Sequence, residues 1–279
     1  MSGFGLKVLA EGTDPSIDIV AVHGLNGHRE KTWEADDGVL WLRDFLPRHF
    51  HDARIMTFGY NAATHSPEHI SSHSLHDHSQ KLVGALAIKR RGHSERPIIF
   101  VAHSLGGLVV KSALIYSNGE NSEQDDEHHS IHSSTLGVIF MGTPHLGSKD
   151  ASMAKMLLNI VSPFVKTTSN MLDHLDQQSA ALDLQRNQYA QIKGGIRTLY
   201  CFEQYETKIG GRLFSKSFMV VPKQSATIPE QGNSEIVCIP GDHRSMVKFS
   251  KTDDDTGYEY IKDCILRWRQ NAAAKIDGI

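Results

Sequence analysis

The sequence predicts an α/β domain, a mainly parallel central sheet flanked by helices on both faces. Three observations carry this. Six apolar runs of strand length are rich in β-branched residues and lack polar alternation, as strands buried on both faces do. Helix-period patterns lie between them, and strand–helix alternation builds parallel sheets. At 279 residues, 39% hydrophobic and 22% charged, the chain is sized for one large domain that buries about three-quarters of its unfolded surface.

GLKVLA near the N-terminus reads as an edge strand. IDIVAVHG (17–24), RIMTFGY (54–60), RPIIFVAH (96–103), TLGVIFMG (135–142), IRTLYCF (196–202) and EIVCIP (235–240) read as buried strands. Leu82, Val83 and Leu86 mark a helix before the third of these runs. Leu108, Val109, Ser112 and Leu114 mark another that starts directly after Ser104. Residues 150–192 form a helical insertion with two stripes, Met153, Met156, Leu157, Ile160, Val161 and then Met171, Leu172, Leu175, Leu182. Such an insertion serves as a cap over a site or as a plain crossover. Ile261, Cys264, Ile265 and Trp268 make the last amphipathic helix. SNGENSEQDDEHHSIHSS (117–134) reads as a solvated loop. No repeat or linker divides the chain, so residues 1–279 are expected to form a single domain.

Net charge is −3 and pI near 6.6, which gives no basic surface for nucleic acid. The start MSGFGLKVLAEGTD lacks the apolar core of a signal peptide, no run of about 18 apolar residues suits a spanning helix, and residue 2 is Ser rather than a myristoylation Gly. Cys201, Cys238 and Cys264 sit in apolar runs and read as buried free thiols of a reducing compartment, by default the cytoplasm.

FVAHSLGGLVV (100–110) places one hydroxyl between small residues where a strand meets a helix. Ala102 and Gly106 let the two backbones approach, Ser104 is held at the top of the sheet, and the N–H of Leu105 points toward a developing oxyanion. The alternative is a plain helix N-cap. A Ser of ordinary pKa needs a base and a second oxyanion donor. The His23-Gly24-Leu25 turn offers the Leu25 N–H, with His23 structural. His243, after the last strand run, is the candidate base. The acid that orients it is Glu203 at the end of IRTLYCF, or Glu206 three residues on.

Other features read more plainly. His65, His69, His73 and His76, and likewise His128, His129 and His132, are solvated or locally bonded rather than zinc ligands, and no metal or cofactor is expected. His145 reads as a turn residue or a pocket wall, Trp33 and Trp41 as packing, and Asp253, Asp254 and Asp255 as a solvated turn without calcium-loop spacing.

The stretches VAVHGLNGHREKTW, WLRDFLPRHFHDARIMTFGYN, IIFVAHSLGGLVVKSAL, GVIFMGTPHLGS, CFEQYETKIG, VVPKQSA and GDHRSMVKFSKTDDDTGY together resemble the α/β-hydrolase superfamily. Within it they resemble fungal lipase-like serine esterases related to the serine-active-site-containing protein and GPI inositol-deacylase groups. The resemblance runs from about residue 17 to 260 in family order. It implies Ser104 as nucleophile, His243 as base, Glu203 as acid, and Leu25 and Leu105 as oxyanion amides. Ala102 stands where the family usually has Gly, and the Tyr205-Glu206 pair adds the competing carboxylate. The implied reaction is cleavage of a carboxylic or lipid-like ester, through an acyl-enzyme, on a small-molecule or lipid-like substrate. Acyl transfer by the same triad and a low-activity interaction module are the alternatives. The resemblance also adds mitochondrial or endoplasmic-reticulum membrane association as an alternative to the cytoplasm. In the family this domain often precedes a nucleotide-binding or repeat module. No P-loop pattern occurs here, so a stand-alone copy is expected.

Overall fold

A computed structural model describes residues 3–62, 72–119, 126–145, 169–211, 214–228, 233–250 and 255–277. Its centre is a seven-stranded sheet in the order β1-β3-β2-β4-β5-β6-β9. The strands are β1 (Gly5–Ala10), β2 (Ile17–Val22), β3 (Ala53–Gly59), β4 (Ile98–His103), β5 (Thr135–Met141), β6 (Arg197–Glu203) and β9 (Ser234–Ile239). β1 runs antiparallel to β3 at the edge, and every other pairing in this sheet is parallel. This is the α/β-hydrolase arrangement expected from the sequence.

The two cores explain the apolar runs without alternation in β2 to β6; EIVCIP, expected as a buried strand, is instead the edge strand β9 and leaves Glu235 and Ile236 exposed, because β9 has a neighbour on one side only. In β4, Ile98, Phe100 and Ala102 face one core and Ile99 and Val101 the other, all fully buried. The first core is closed by α3 (Ser72–Lys89), α4 (Leu105–Asn118) and α6 (Ser169–Ile192), through Leu82, Val83, Leu86, Leu108, Val109 and Leu182. The second is closed by α1 (Trp41–Asp44), α2 (Leu46–His49) and the last helix α8 (Thr256–Asp277), through Trp41, Leu46, Ile261, Cys264, Ile265 and Trp268. Apolar burial on both faces is the main force holding such a sheet.

The structure corrects three further expectations. The polar stretch 117–134 is not all loop: α5 (Asp126–Ser133) lies within it and buries Ser130 and Ile131. Ser117, at the end of α4, accepts the N–H of His132 and donates to the carbonyl of His128, so local polar bonds hold a helix with little apolar surface. Second, an antiparallel hairpin, β7 (Thr207–Gly211) and β8 (Phe214–Phe218), follows β6 where no strand was expected. A short helix α7 (Lys223–Ala226) comes after it. Third, Cys201 and Cys264 are buried free thiols, but Cys238 is only half-buried.

Of the proposed insertion, 169–192 is α6. The stripe Met153, Met156, Leu157, Ile160, Val161 and the side chains of Met171, Leu172 and Leu175 lie outside the described residues, as do His65, His69, the side chain of His73, Asp253 and Asp254. Among the described residues no helix is long and apolar enough to cross a membrane.

Candidate active site

The parallel strands deliver their C-terminal ends to one edge of the sheet, where ligand sites of open α/β folds lie. Ser104 stands there, between β4 and α4, with φ 51° and ψ −124°. Those angles are costly for a residue with a Cβ, about 1–3 kcal/mol, and mark the sharp elbow that lifts a side chain off the sheet. Ser104 occupies the N-cap position but its hydroxyl makes no cap bond, which removes the plain N-cap reading. Gly106 is required by close approach: a Cβ there would lie 2.4 Å from the carbonyl oxygens of Val22 and His23. Ala102, in the strand, is fully buried.

The hydroxyl of Ser104 lies 3.0 Å from Nε2 of His243, and Nδ1 of His243 lies 2.8 Å from Oε2 of Glu203. All three residues are buried. With the Nδ1 proton donated to the carboxylate, Nε2 is left to accept the serine proton. Glu203 ends β6. Its other oxygen accepts the N–H groups of Val220 (2.5 Å) and Val221 (3.2 Å), so the buried carboxylate keeps hydrogen bonds on both oxygens. Glu206, the alternative acid, is exposed and lies outside this line.

His243 is held through its own backbone. Its carbonyl accepts Nε2–H of His103 at 2.8 Å, and its N–H donates to Oγ1 of Thr207 at 3.3 Å, a use for the unforeseen hairpin. The turn after it is anchored by the indole of Trp41, which donates to the carbonyl of Val247 at 2.9 Å. Burial pushes His103 down to about 3 and His23 to about 4, so both are neutral scaffolding. His23 is structural as read: Nδ1–H donates to the carbonyl of Gly24, Nε2 accepts the N–H of Tyr60, and the ring stacks on Tyr60.

The loop after β2 and the first turn of α4 meet beside Ser104; a Cβ on Gly24 would come within 2.8 Å of the Ser104 Cβ. Leu25 follows in that loop and Leu105 opens the helix. Among the described residues neither amide N–H has a hydrogen-bond partner. A cleft of about 300 Å³ opens beside Leu25, lined also by His28, Lys31, His103, Arg244 and Lys248 among others. No three His, Cys, Asp or Glu side chains converge as a metal site among the described residues.

Sequence reasoning missed two groups in this region. Trp41 was read only as packing, and its indole N–H bond spans too much sequence for any local pattern to reveal it. Lys111, on the helix that follows Ser104, was not singled out, and it is buried and bonded to His145.

Comparison with known proteins adds to this geometry. Residues 18–191 match the family model described as "Putative serine esterase (DUF676)". That span contains Ser104, Leu25 and Leu105, while Glu203 and His243 lie beyond it. Protein SERAC1 of Danio rerio is 30% identical over 261 residues, 85% of this chain and 37% of that protein. Protein SERAC1 of Homo sapiens is 23% identical over 259 residues, 85% of this chain and 36% of its own length. The chain therefore spans well under half of these curated relatives. Among solved structures, the mature form of Bacillus licheniformis lipase BlEst2 superposes with a TM-score of 0.55 at 19% identity, covering 88% of this chain and 94% of that one. A structure from a study of carboxylesterases of Nitrososphaera gargenis gives 0.51 at 10% identity, covering 95% of both chains. At these identities the likeness speaks for the fold.

Proposed function

This chain belongs to the DUF676 serine esterase family, and on that premise we propose that it hydrolyses a carboxylic or lipid-like ester through Ser104, His243 and Glu203. The observation that carries the reading is the unbroken hydrogen-bonded line from Glu203 through His243 to a hydroxyl on a strained elbow. A cap serine would not need φ 51°, and a structural histidine would not need its own buried carboxylate.

In this reading His243 Nε2 takes the Ser104 proton as Oγ attacks the acyl carbonyl carbon. The carbonyl oxygen becomes an oxyanion that accepts the N–H groups of Leu25 and Leu105, two preset donors already in place before charge develops. Glu203 stabilises the imidazolium and fixes its tautomer. The intermediate collapses as Nε2–H protonates the departing alcohol, leaving an acyl-serine. His243 then deprotonates a water that attacks this ester, and the proton returns to Ser104 as the acid leaves. The chemistry requires no cofactor.

Two companion proposals concern organisation and location. The whole chain is one hydrolase domain, with 150–192 as a cap-like insertion. The packing of α6 on the serine's helix supports this, with Nε2 of Gln185 donating to the carbonyl of Leu108 at 2.9 Å. Cytoplasmic residence is supported by the three free cysteines.

The test is hydrolysis of 4-nitrophenyl esters of graded acyl length by wild type and Ser104→Ala, with products analysed with and without an added alcohol. Acid release by wild type alone supports hydrolysis. Acyl product that appears only on the added alcohol would reassign the site to acyl transfer, and turnover retained in folded Ser104→Ala would overturn it.

A further inference from the structure

Lys111 lies two turns along α4 from Ser104 and is 1% exposed. Its Nζ is 2.7 Å from Nδ1 of His145, itself 2% exposed, and sits 5.5 Å over the Phe140 ring and 5.3 Å over the Tyr189 ring. Among the described residues no carboxylate pairs with Lys111. The charged groups that act on it, Arg186 of α6 and Lys193 just after that helix, repel it. Burial first, and those two cations after it, push the ammonium down to about 7. Burial and Lys111 hold His145 well below its ordinary range, so the imidazole is the acceptor. A buried lysine among aromatic rings, with no carboxylate paired to it among the described residues, is a costly way to fill space. A leucine would pack there without that cost, so the feature to explain is the directional N–H···N bond.

The bond joins the elements that carry the whole site. Lys111 belongs to the helix whose first turn holds Ser104 and Leu105. His145 lies in the segment that follows β5. Within that segment Gly142, at φ +59°, lies flat against the His243 ring, where a Cβ would come within 3.0 Å of Nδ1. Thr143 packs on Gly107 of α4 in the same segment. The N–H of His145 donates to the carbonyl of Ser225 at 2.7 Å, in α7, just after the Val220 and Val221 amides that hold Glu203. One side-chain bond thus fixes the serine's helix to the support of the base and to the chain that clamps the acid.

We propose that Lys111 and His145 are positioning residues for the ester reaction: their hydrogen bond sets the register of α4 against segment 142–145 and α7, and so the alignment of Ser104, His243 and Glu203. Neither touches the substrate. The proposal rests on the serine esterase reading above. Its physical basis is the steep dependence of catalysis on alignment, where a misplacement of about 1 Å costs about a hundredfold in rate.

The experiment is steady-state ester hydrolysis by Lys111→Met, His145→Leu, their double variant and His145→Asn, whose side-chain oxygen stands near the Nδ1 position and keeps an acceptor. Folding of each is checked by near-UV circular dichroism. Lys111→Met and His145→Leu are each expected to lower kcat about tenfold with KM changed less than twofold. The double variant should be no worse than either single change, because both remove one bond, and His145→Asn should recover most of the rate. Should Lys111→Met fail to fold, the contrast of His145→Leu with His145→Asn carries the same test. Single variants that lose thermal stability while kcat stays at the wild-type value would overturn the proposal, as would losses that multiply in the double variant or a His145→Asn no better than His145→Leu. A wild type that hydrolyses no ester would overturn the esterase reading and this proposal with it. An active wild type with any of the contrary variant results overturns this proposal alone.

Discussion

The two ends of the sheet each bury a carboxylate, and they treat it differently. At the N-terminal end of β2, Asp18 is fully buried among three guanidiniums: Arg54 at 2.9 Å, Arg90 at 2.5 Å and Arg96 at 3.4 Å. The arginines are themselves tied down, Arg54 to the carbonyl of Lys89 and Arg90 to those of Ser94 and Arg96. At the C-terminal end, Glu203 is equally buried, but its partners are one imidazole and two backbone amides. The first arrangement surrounds an acid with permanent cations, which locks it. The second leaves the only ionisable partner able to take and return a proton. Burial of an acid is common to both, so burial alone does not identify a reactive site; the lability of the partner does.

The largest effect that would sharpen this contrast is at the upper carboxylate. Glu203→Gln removes the charge that orients and stabilises the imidazolium, and kcat/KM should fall about 10³–10⁴-fold with the melting temperature little changed. Exposed Glu206 is the control. Glu206→Gln should leave kcat/KM within twofold, and a loss there equal to that of Glu203→Gln would break the assignment of the acid.

Next comes the lower carboxylate, where stability rather than rate should respond. Asp18→Asn leaves three buried guanidiniums without their counter-charge and should destabilise the fold by about 3–5 kcal/mol, as breaking a buried ion pair does. Urea unfolding would measure it, while kcat per folded molecule should be unchanged. A variant as stable as wild type, or one that lost turnover while folded, would remove the distinction between the two ends.

The smallest effects lie in pH dependence. His23 and His103 bind protons near 4 and 3 when folded rather than near 6.5, so the unfolded chain binds more protons in between. Their contribution to stability is full above pH 6.5 and is lost as pH falls toward 4 and below. Lys111 acts in a separate window: folded near 7 against an ordinary 10.5, it makes stability rise with pH between those values. Melting temperature against pH should therefore drop on the acid side. His103→Asn should flatten part of that drop, and Lys111→Met should flatten the alkaline rise. Curves that superpose on wild type would contradict these assignments.

What the sequence disclosed follows from how local each signal is. The buried strands were legible because two-sided burial leaves an uninterrupted apolar run, as in IIFVAH. Ser104 was legible because the elbow forces small neighbours within two residues, and Glu203 and His243 because each stands directly after a strand run. The hairpin Thr207–Phe218 was not legible, since TKIGG and FSKSF carry neither an apolar run nor clean alternation. Helix α5 was hidden because Ile131 is its only large apolar anchor. Lys111 was passed over for a different reason. Nothing local in LVVKSAL marks this lysine, and it is buried by the packing of Tyr189 from α6 and Phe140 from β5 against it. His145, read as a turn residue or pocket wall, proved a buried acceptor for the same lysine. These are contacts between distant segments, for which a single sequence holds no periodic trace.

Ester hydrolysis at this site requires that the hydroxyl of Ser104 be activated by His243. The most direct measurement is labelling with a fluorophosphonate probe, read by intact mass and by peptide mapping, on wild type, Ser104→Ala and His243→Ala. One adduct is expected on wild type, located on Ser104, none on folded Ser104→Ala, and a labelling rate in His243→Ala reduced by at least about a thousandfold. An adduct on another residue, or a folded wild type that takes up no probe, would contradict that activation.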